Sequence, residues 1–489
     1  MRFQIKSANG RLFTYFIFLA VIGTSLFLCP FAYVSGKGAA LVDALFMAVS
    51  AICVTGLSVL DMAVFSKAGL IILMLLVEAG GLGLVTFFCI YLAMPSKRVS
   101  YVDKKFIRDF FTDESKVNSR LLLLRIVGTT LLIQTAGAIL LAIFLGRTGE
   151  KNNVFYGIFL AITSFCNAGF APYSDNLQRF SMNVPVCLTL SILIVAGGLG
   201  FTVMSDTAGT IRTKLFKSRL LAKNSRRRSV KACLSNDAQN KKLENIRTKN
   251  KDDALSPKRR LRLHSRVAIL MTALLSVCGA GFFLAAEWNN AFAGVPVGKK
   301  IVNALFQSVT LRTAGFETFA QSSFSPASYV ISLLFMLTGG NPGSMAGGIK
   351  TTTVFLILCY GFRSTEDKGE MSLLGRDISQ ASVDRAIGIT VKALCILLLA
   401  TISLCFSEHN ALSDGTFSIS DIIFEAVSAF STTGLSKGIT SQLNSLSKVI
   451  LSCAMFAGRT GIIALVMRPG KARKLESLSE FPHEDILVG

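Results

Sequence analysis

Four short breaks, each centred on a glycine, interrupt the apolar helical pattern of this chain: ICVTGLS (52–58), FCNAGFA (165–171), LRTAGFE (311–317) and FSTTGLS (430–436). Their central glycines are Gly56, Gly169, Gly315 and Gly434, and each break lies between two long hydrophobic stretches. The repeating unit is therefore an apolar span, a short helix, a glycine loop and a second span. Backbone that leaves a helix at membrane depth is tolerated only where protein buries it or where it lines a water-filled cavity. Four such loops around one axis would form a ring of carbonyl oxygens, the arrangement an ion selectivity filter requires.

Composition supports a membrane chain over a set of soluble domains, with 51% hydrophobic residues, 16% charged residues and 37 Phe against one Trp in 489 residues. Stretches at 12–34, 65–93, 121–145, 184–208, 266–286, 386–406 and 445–467 approach the length needed to cross about 30 Å of hydrocarbon. An eighth, 326–338, is short and continues at 349–362. The expected fold is all-α, with eight transmembrane helices and four re-entrant pore helices in four pseudo-symmetric repeats around one pore. The repeats run over 12–93, 121–208, 266–362 and 385–467, with a basic insert at 211–265 and a tail at 468–489. The segment 1–34 has no small-residue cleavage site and reads as a span, not a signal peptide.

The eleven cysteines lie mostly in apolar segments without a CxxC pair, and the three histidines are scattered, so neither a zinc site nor a disulfide framework is expected. Intramembrane acid, base and nucleophile groups do not converge, which argues against an enzyme. Residues 211–266 hold 19 Lys/Arg against four Asp/Glu, and 94–120 hold seven Lys/Arg. Nucleic-acid binding is one reading of such runs. Basic loops between spans stay cytoplasmic, and with eight spans both basic termini fall on that side, so no nucleic-acid partner is expected. Residues 222–258 of the insert would be a flexible loop, solvated or touching lipid headgroups.

The local pattern repeats at fixed offsets. Phe46, Phe159, Leu305 and Phe424 stand ten residues before the glycines, and Ser50, Thr163, Val309 and Ser428 six before. Leu57, Phe170, Phe316 and Leu435 follow them. The run before each loop suits a short helix whose partially negative C-terminal end points at the loop and favours a cation. A single such glycine could equally be a helix-packing contact; four at matched offsets point to a filter.

VTGLS, NAGF, RTAGF and STTGLS, with GGLG (80–83 and 197–200), GGNPGSMAGGIKTTT (339–353) and GRTG (458–461), resemble the pore-forming subunit of the Trk/Ktr/HKT superfamily of potassium transporters, Ktr type. The resemblance implies K⁺ uptake across the cytoplasmic membrane, a homodimer with one pore per protomer, and a cytosolic ring of RCK-type nucleotide-binding regulatory subunits. It implies a filter of Val54, Thr55, Gly56, Asn167, Ala168, Gly169, Thr313, Ala314, Gly315, Thr432, Thr433 and Gly434. Glycine at all four centres resembles the K⁺-selective members; sodium dependence and a sodium-translocating relative remain alternatives, and no organic cofactor is expected. Three positions depart from the family pattern: Cys166 and Glu317 where asparagine is common, and Glu78 where glutamine is usual.

Segment 338–349 carries Gly339, Gly340, Asn341, Pro342, Gly343, Ser344, Gly347 and Gly348, too many helix breakers for a regular span. It would lie across the cavity below the filter, where the resemblance places a gating loop closed by Lys350. Gly348-Ile349-Lys350 lacks the adjacency of a phosphate loop. Arg459 within the last span is a functional-site hypothesis, either facing the pore as part of the gate or snorkelling to the interface; Lys350 would meet a C-terminal carbonyl cluster or an acidic partner, or snorkel to the headgroups. Asp43, Asp421 and Glu425 read as caps near the starts of pore helices. Glu317, Asp61 and Asp175 would concentrate cations at the mouth or be solvated surface acids.

Overall fold

A computed structural model describes residues 8–34, 36, 38–93, 119–211, 213, 261–362, 371–373 and 376–461. The connection 94–118, nearly all of the basic insert, and the chain from 462 onward, including the tail at 468–489, lie outside them. The helices fall into four similar groups. The first holds α1 (Ala8–Leu28), α2 (Leu41–Ile52) and α3 (Lys67–Ala93). The second holds α4 (Ser119–Arg147), α5 (Asn153–Cys166), α6 (Val184–Leu199) and α7 (Phe201–Ile211). The third holds α8 (Leu263–Ala286), α9 (Val297–Thr310), α10 (Pro326–Leu337) and α11 (Thr351–Gly361). The fourth holds α12 (Gln380–Ser407), the short α13 (His409–Ser413), α14 (Ile419–Ser431) and α15 (Ser445–Phe456).

The described residues are mostly helical, as expected; β1 (Met371–Leu373) and β2 (Arg376–Ile378) add a small antiparallel hairpin between α11 and α12. Three of the described helices, over Leu124–Arg147, Leu263–Ala286 and Gln380–Ser407, are long and apolar enough to cross a membrane, and α6 with α7 passes as a bent pair. The short helices α2, α5, α9 and α14 have 12, 14, 14 and 13 residues. At 1.5 Å per residue each is only about 20 Å long, well under the hydrocarbon thickness. Their largely buried faces show that they are interior elements.

Packing is cyclic. Within each group the first helix lies against the short one: α1 on α2, α4 on α5, α8 on α9 and α12 on α14. Between groups, the helix after each glycine loop packs on the next group's short helix: α3 on α5, α6 on α9, α10 on α14, and α15 back on α2. The last contact joins the C-terminal quarter to the N-terminal one and closes the circle. The Asp43 carboxylate on α2 and Lys448 Nζ on α15 form an ion pair of 2.8 Å across that seam.

The start of each returning helix is capped alike. Ser66, Asn183, Ser325 and Asn444 accept the N–H of Gly69, Val186, Ser328 and Ser447 through their side chains. In the third group a buried glutamate adds to the cap. Glu287 accepts the N–H and hydroxyl of Ser325 at 2.9 and 2.6 Å, the Ser328 hydroxyl and the Asn290 amide. Burial alone would raise its carboxyl, but the Ser325 and Ser328 hydroxyls, the Ser325 N–H and the Asn290 amide outweigh burial and hold it below the usual glutamate range. Glu408 takes the matching place in the fourth group, accepting the Asn444 N–H at 2.9 Å.

Candidate functional site

The four glycine loops meet at the centre of the circle. Among the described residues only five that are not glycine have left-handed backbone, and four of them stand two residues before the loop glycines: Val54 (φ +57°), Asn167 (+60°), Thr313 (+63°) and Thr432 (+54°). The glycines are left-handed too, at +100°, +68°, +75° and +90° in chain order. Thr55, Ala168, Ala314 and Thr433 between them have negative φ. A β-carbon placed on each glycine shows how tightly the loops abut. On Gly56 it would lie 2.5 Å from Ala168 O, on Gly169 2.9 Å from Ala314 O, on Gly315 2.3 Å from Thr433 O and on Gly434 2.0 Å from Thr55 O. Each glycine leans on the next loop and the fourth on the first, so the four glycines and the residues just before them form one closed backbone ring.

Hydroxyls on the short helices hold the loops in this shape. Gly56 N–H donates to Ser50 Oγ at 3.2 Å, and Gly434 N–H to Ser428 Oγ at 3.1 Å. In the third loop Val309 cannot do this, and Thr310, one residue on, accepts the Phe316 N–H at 2.8 Å instead. Thr163 bonds its own helix at Phe159 O. The outer layer is glycine again: a β-carbon on Gly80, Gly197 or Gly458 would lie 1.9, 1.8 or 1.7 Å from the carbonyl oxygens of Ile52, Phe165 or Phe430, each four residues before a ring glycine. Only glycine lets the returning helix touch the end of the short helix there. The GGLG and GRTG motifs thus have a packing cause that spacing alone did not disclose.

Beneath the ring lies segment 338–349. Gly339 N–H bonds Ile349 O at 2.9 Å and Ile349 N–H bonds Leu337 O at 3.1 Å, which closes the base of the loop. Asn341 N–H reaches Gly198 O at 3.0 Å and Met345 N–H reaches Gly197 O at 3.3 Å, so the loop lies on the second repeat. Its tip breaks that repeat's helix: Gly343 O takes the Phe201 N–H at 3.2 Å, and Gly200, at φ +85°, sits where a β-carbon would be 2.8 Å from Pro342 O. The span expected over 184–208 is accordingly two helices, α6 and α7, at 101°. The loop also touches the ring, because a β-carbon on Gly347 would lie 2.0 Å from Thr432 Oγ1. Gly340 O accepts the Thr351 N–H at 3.1 Å, Asn341 Oδ1 accepts the Thr351 hydroxyl, and Ser344 N–H bonds Asn341 O at 3.2 Å. Gly348 is left-handed at +64°.

Arg459, in the π-helical turn Ala457–Gly461, is buried, so it does not snorkel. Its guanidinium donates to Met345 O in the loop and to Gly80 O on α3 at 3.2 Å, tying the fourth, third and first repeats together. Lys350 turns inward as well, donating to Ala346 O at 2.6 Å. Of the acids read as caps, Asp421 makes a capping box with Ser418. Asp43 does not cap but pairs with Lys448, and Glu425 sits inside α14, buried, accepting the hydroxyls of Ser436 and Thr440. Asp61 caps a short turn at Ala63 N–H, and Asp175 pairs with Arg179 at 2.8 Å. Two of the family departures touch: Glu78 Oε2 accepts from Cys166 Sγ at 3.3 Å and from Gln134 Nε2 at 2.9 Å. Buried Arg312, whose guanidinium bonds Ser276 Oγ at 2.8 Å, carries a charge beside the third loop that the motif reading did not single out.

A circle of apolar helices around four meeting backbone loops suits a multi-pass membrane transport protein. The TrkH family of cation transport proteins matches residues 3–230 and 261–477, and the chain belongs to that family. It is 32% identical to the potassium/sodium uptake protein NtpJ of Enterococcus hirae, over 97% of this chain and 95% of that one. It is 30% identical to the Ktr system potassium uptake protein B of Vibrio alginolyticus, over 96% and 93%. The fold resembles the crystal structure of the potassium transporter TrkH from Vibrio parahaemolyticus with a TM-score of 0.66 at 17% identity, covering 96% of this chain and 86% of that one.

Proposed function

We propose that this chain takes up K⁺ across the cytoplasmic membrane through the glycine ring, with eight spans and four re-entrant helices around one pore and both termini in the cytoplasm. The observation that carries this reading is the closed ring, in which each glycine abuts the next loop. Carbonyls of the twelve proposed filter residues would replace the ion's hydration shell, and the C-terminal ends of α2, α5, α9 and α14 add favourable potential. The 338–349 loop and Arg459 form the gate on the cytoplasmic side. A homodimer and a cytosolic nucleotide-binding regulatory ring belong to the same proposal; the relatives named as parts of a Ktr system support a multicomponent assembly.

Sodium is the second reading, supported by the relative named for potassium and sodium uptake. Expression in a cell lacking K⁺ uptake, grown at low K⁺ with and without Na⁺, tests both. Growth rescue that Gly56→Ser converts into Na⁺ uptake supports a K⁺ filter. Rescue only when Na⁺ is present assigns sodium dependence, and absence of rescue with the protein in the membrane rejects K⁺ uptake by this chain alone.

A further inference from the structure

The fifth left-handed residue that is not glycine is Asn176, at φ +52° in the outer loop of the second repeat. That loop is the longest of the four: 14 residues separate Gly169 from the cap Asn183, but ten separate Gly56 from Ser66, Gly315 from Ser325 and Gly434 from Asn444. Residues held in sparsely populated backbone regions persist only where their surroundings over-determine them. Here the surroundings are the ring itself. Asn176 Nδ2 donates to Gly169 O and to Gly315 O, each at 3.5 Å. Asn176 Oδ1 accepts the Glu317 N–H at 3.3 Å, and Leu177 N–H donates to Glu317 O at 3.0 Å. The two faces of the amide are fixed by chemistry, since carbonyls meet the donor end and an N–H meets the acceptor end.

From Glu317 the connection continues into the fourth repeat. Glu317 Oε1 accepts the Ser436 N–H at 3.3 Å, and the Ser436 hydroxyl donates to Glu425 on α14. Among the described residues the first loop is braced locally, with Ser58 donating its hydroxyl to Leu60 O. The brace also falls where the ring has least side-chain support. Ala168 and Ala314 stand beside it, whereas Thr433 on the far side has a hydroxyl 2.8 Å from Ser431 Oγ.

We infer that Asn176 is a specificity-determining positioning residue that, together with Glu317, fixes the spacing of the Gly169 and Gly315 carbonyls. The inference rests on the glycine ring being the filter. An amide shared by two ring carbonyls restrains both from closing inward on a smaller ion. Without it the second and third loops can adapt to Na⁺, and the ring loses discrimination while keeping its path open.

The test is ion uptake by the full-length protein in cells deficient in K⁺ uptake, comparing Asn176→Ala, Asn176→Gly, Glu317→Ala and Glu317→Gln. Asn176→Gly is the decisive variant, because glycine adopts φ +52° without strain and only the amide is lost. The KM for K⁺ should rise, and inhibition by Na⁺ strengthen, by about fivefold with Vmax within about twofold, the scale of one ordinary hydrogen bond. Glu317→Ala should shift in the same direction, and Glu317→Gln, which still offers Ser436 an acceptor oxygen, should shift less. Gly56→Ser serves as the control for the filter itself. If Gly56→Ser alters ion preference and Asn176→Gly does not, the inference fails while the filter stands; if neither does, both fail. Loss of membrane expression in Asn176→Ala, with normal expression and unchanged selectivity in Asn176→Gly, would assign Asn176 to folding and overturn the inference.

Discussion

The glycine ring and the loop beneath it touch, yet they are held in opposite ways. The ring is built four times over, mainly from backbone, and each quarter rests on the next. The loop exists once, lies across three other repeats, and is held by single hydrogen bonds and one arginine. A part made by repetition stays in place as a whole, because each quarter is seated against the next. A part held by a few unlike contacts can be released by losing one of them. Permanence suits a selective aperture and releasability suits a gate, so the contrast follows the two tasks proposed for them.

Replacing Gly434 strikes the repeated half hardest. Gly434→Ala places a β-carbon 2.0 Å from Thr55 O at a residue with φ +90°. Uptake should fall roughly tenfold or more, as expected where strain of about 1–3 kcal/mol joins a direct clash. Near-normal K⁺ uptake would mean that the ring is looser than its contacts imply. The opposite sign is expected at the gate. Arg459→Ala removes the ties to Met345 and Gly80, and K⁺ flux should rise about fivefold with ion preference unchanged, the scale of one or two hydrogen bonds. Deleting 339–343 should act similarly, and the two together should give less than the product of their separate effects because they act on one constriction. Reduced flux in both single variants, with normal expression, would turn this loop and arginine into scaffolding.

Smaller effects should come from the frame around both parts. Glu287 is held below the usual glutamate range in the folded protein, so it contributes stability above its unfolded value that is lost as pH falls through the folded one. Glu287→Gln should therefore lower the thermal midpoint at neutral pH, and the gap to the parent should narrow on acidification; a gap independent of pH would exclude this origin. Asp43→Asn at the closing seam should cost the least, about 1 kcal/mol or below for a partly exposed pair, with K⁺/Na⁺ preference unaltered. A clear change in ion preference would show that the seam reaches the ring.

What repeats was legible in the sequence and what occurs once mostly was not. Matched offsets around Gly56, Gly169, Gly315 and Gly434 located the short helices and the loops because a shared backbone geometry leaves a shared residue pattern. The glycine-rich run at 338–349 was visible as a helix breaker, but its effect on the second repeat was not, since nothing near Gly200 reveals that Pro342 and Gly343 will arrive from over a hundred residues away. The same holds for Glu425, which reads as a helix cap by its position in α14 but is claimed by Ser436 and Thr440 across the next loop. Cys166 and Glu78 stood out separately as departures from the family pattern, and only the fold reveals them as neighbours. Asn176 carries no signal except the four extra residues around it.

Because all four quarters of the ring belong to one polypeptide, a single codon alters a single wall. In a channel assembled from four identical subunits every substitution is multiplied by four, and intermediate designs are reached only by mixing chains. In the proposed path an ion would meet Thr55, Ala168, Ala314 and Thr433, four walls of two kinds, with the two threonines adjacent around the circle. Lopsidedness of this sort can be inherited, selected and tuned one quarter at a time. The proposed permeation path is in effect a heteromer whose stoichiometry never varies.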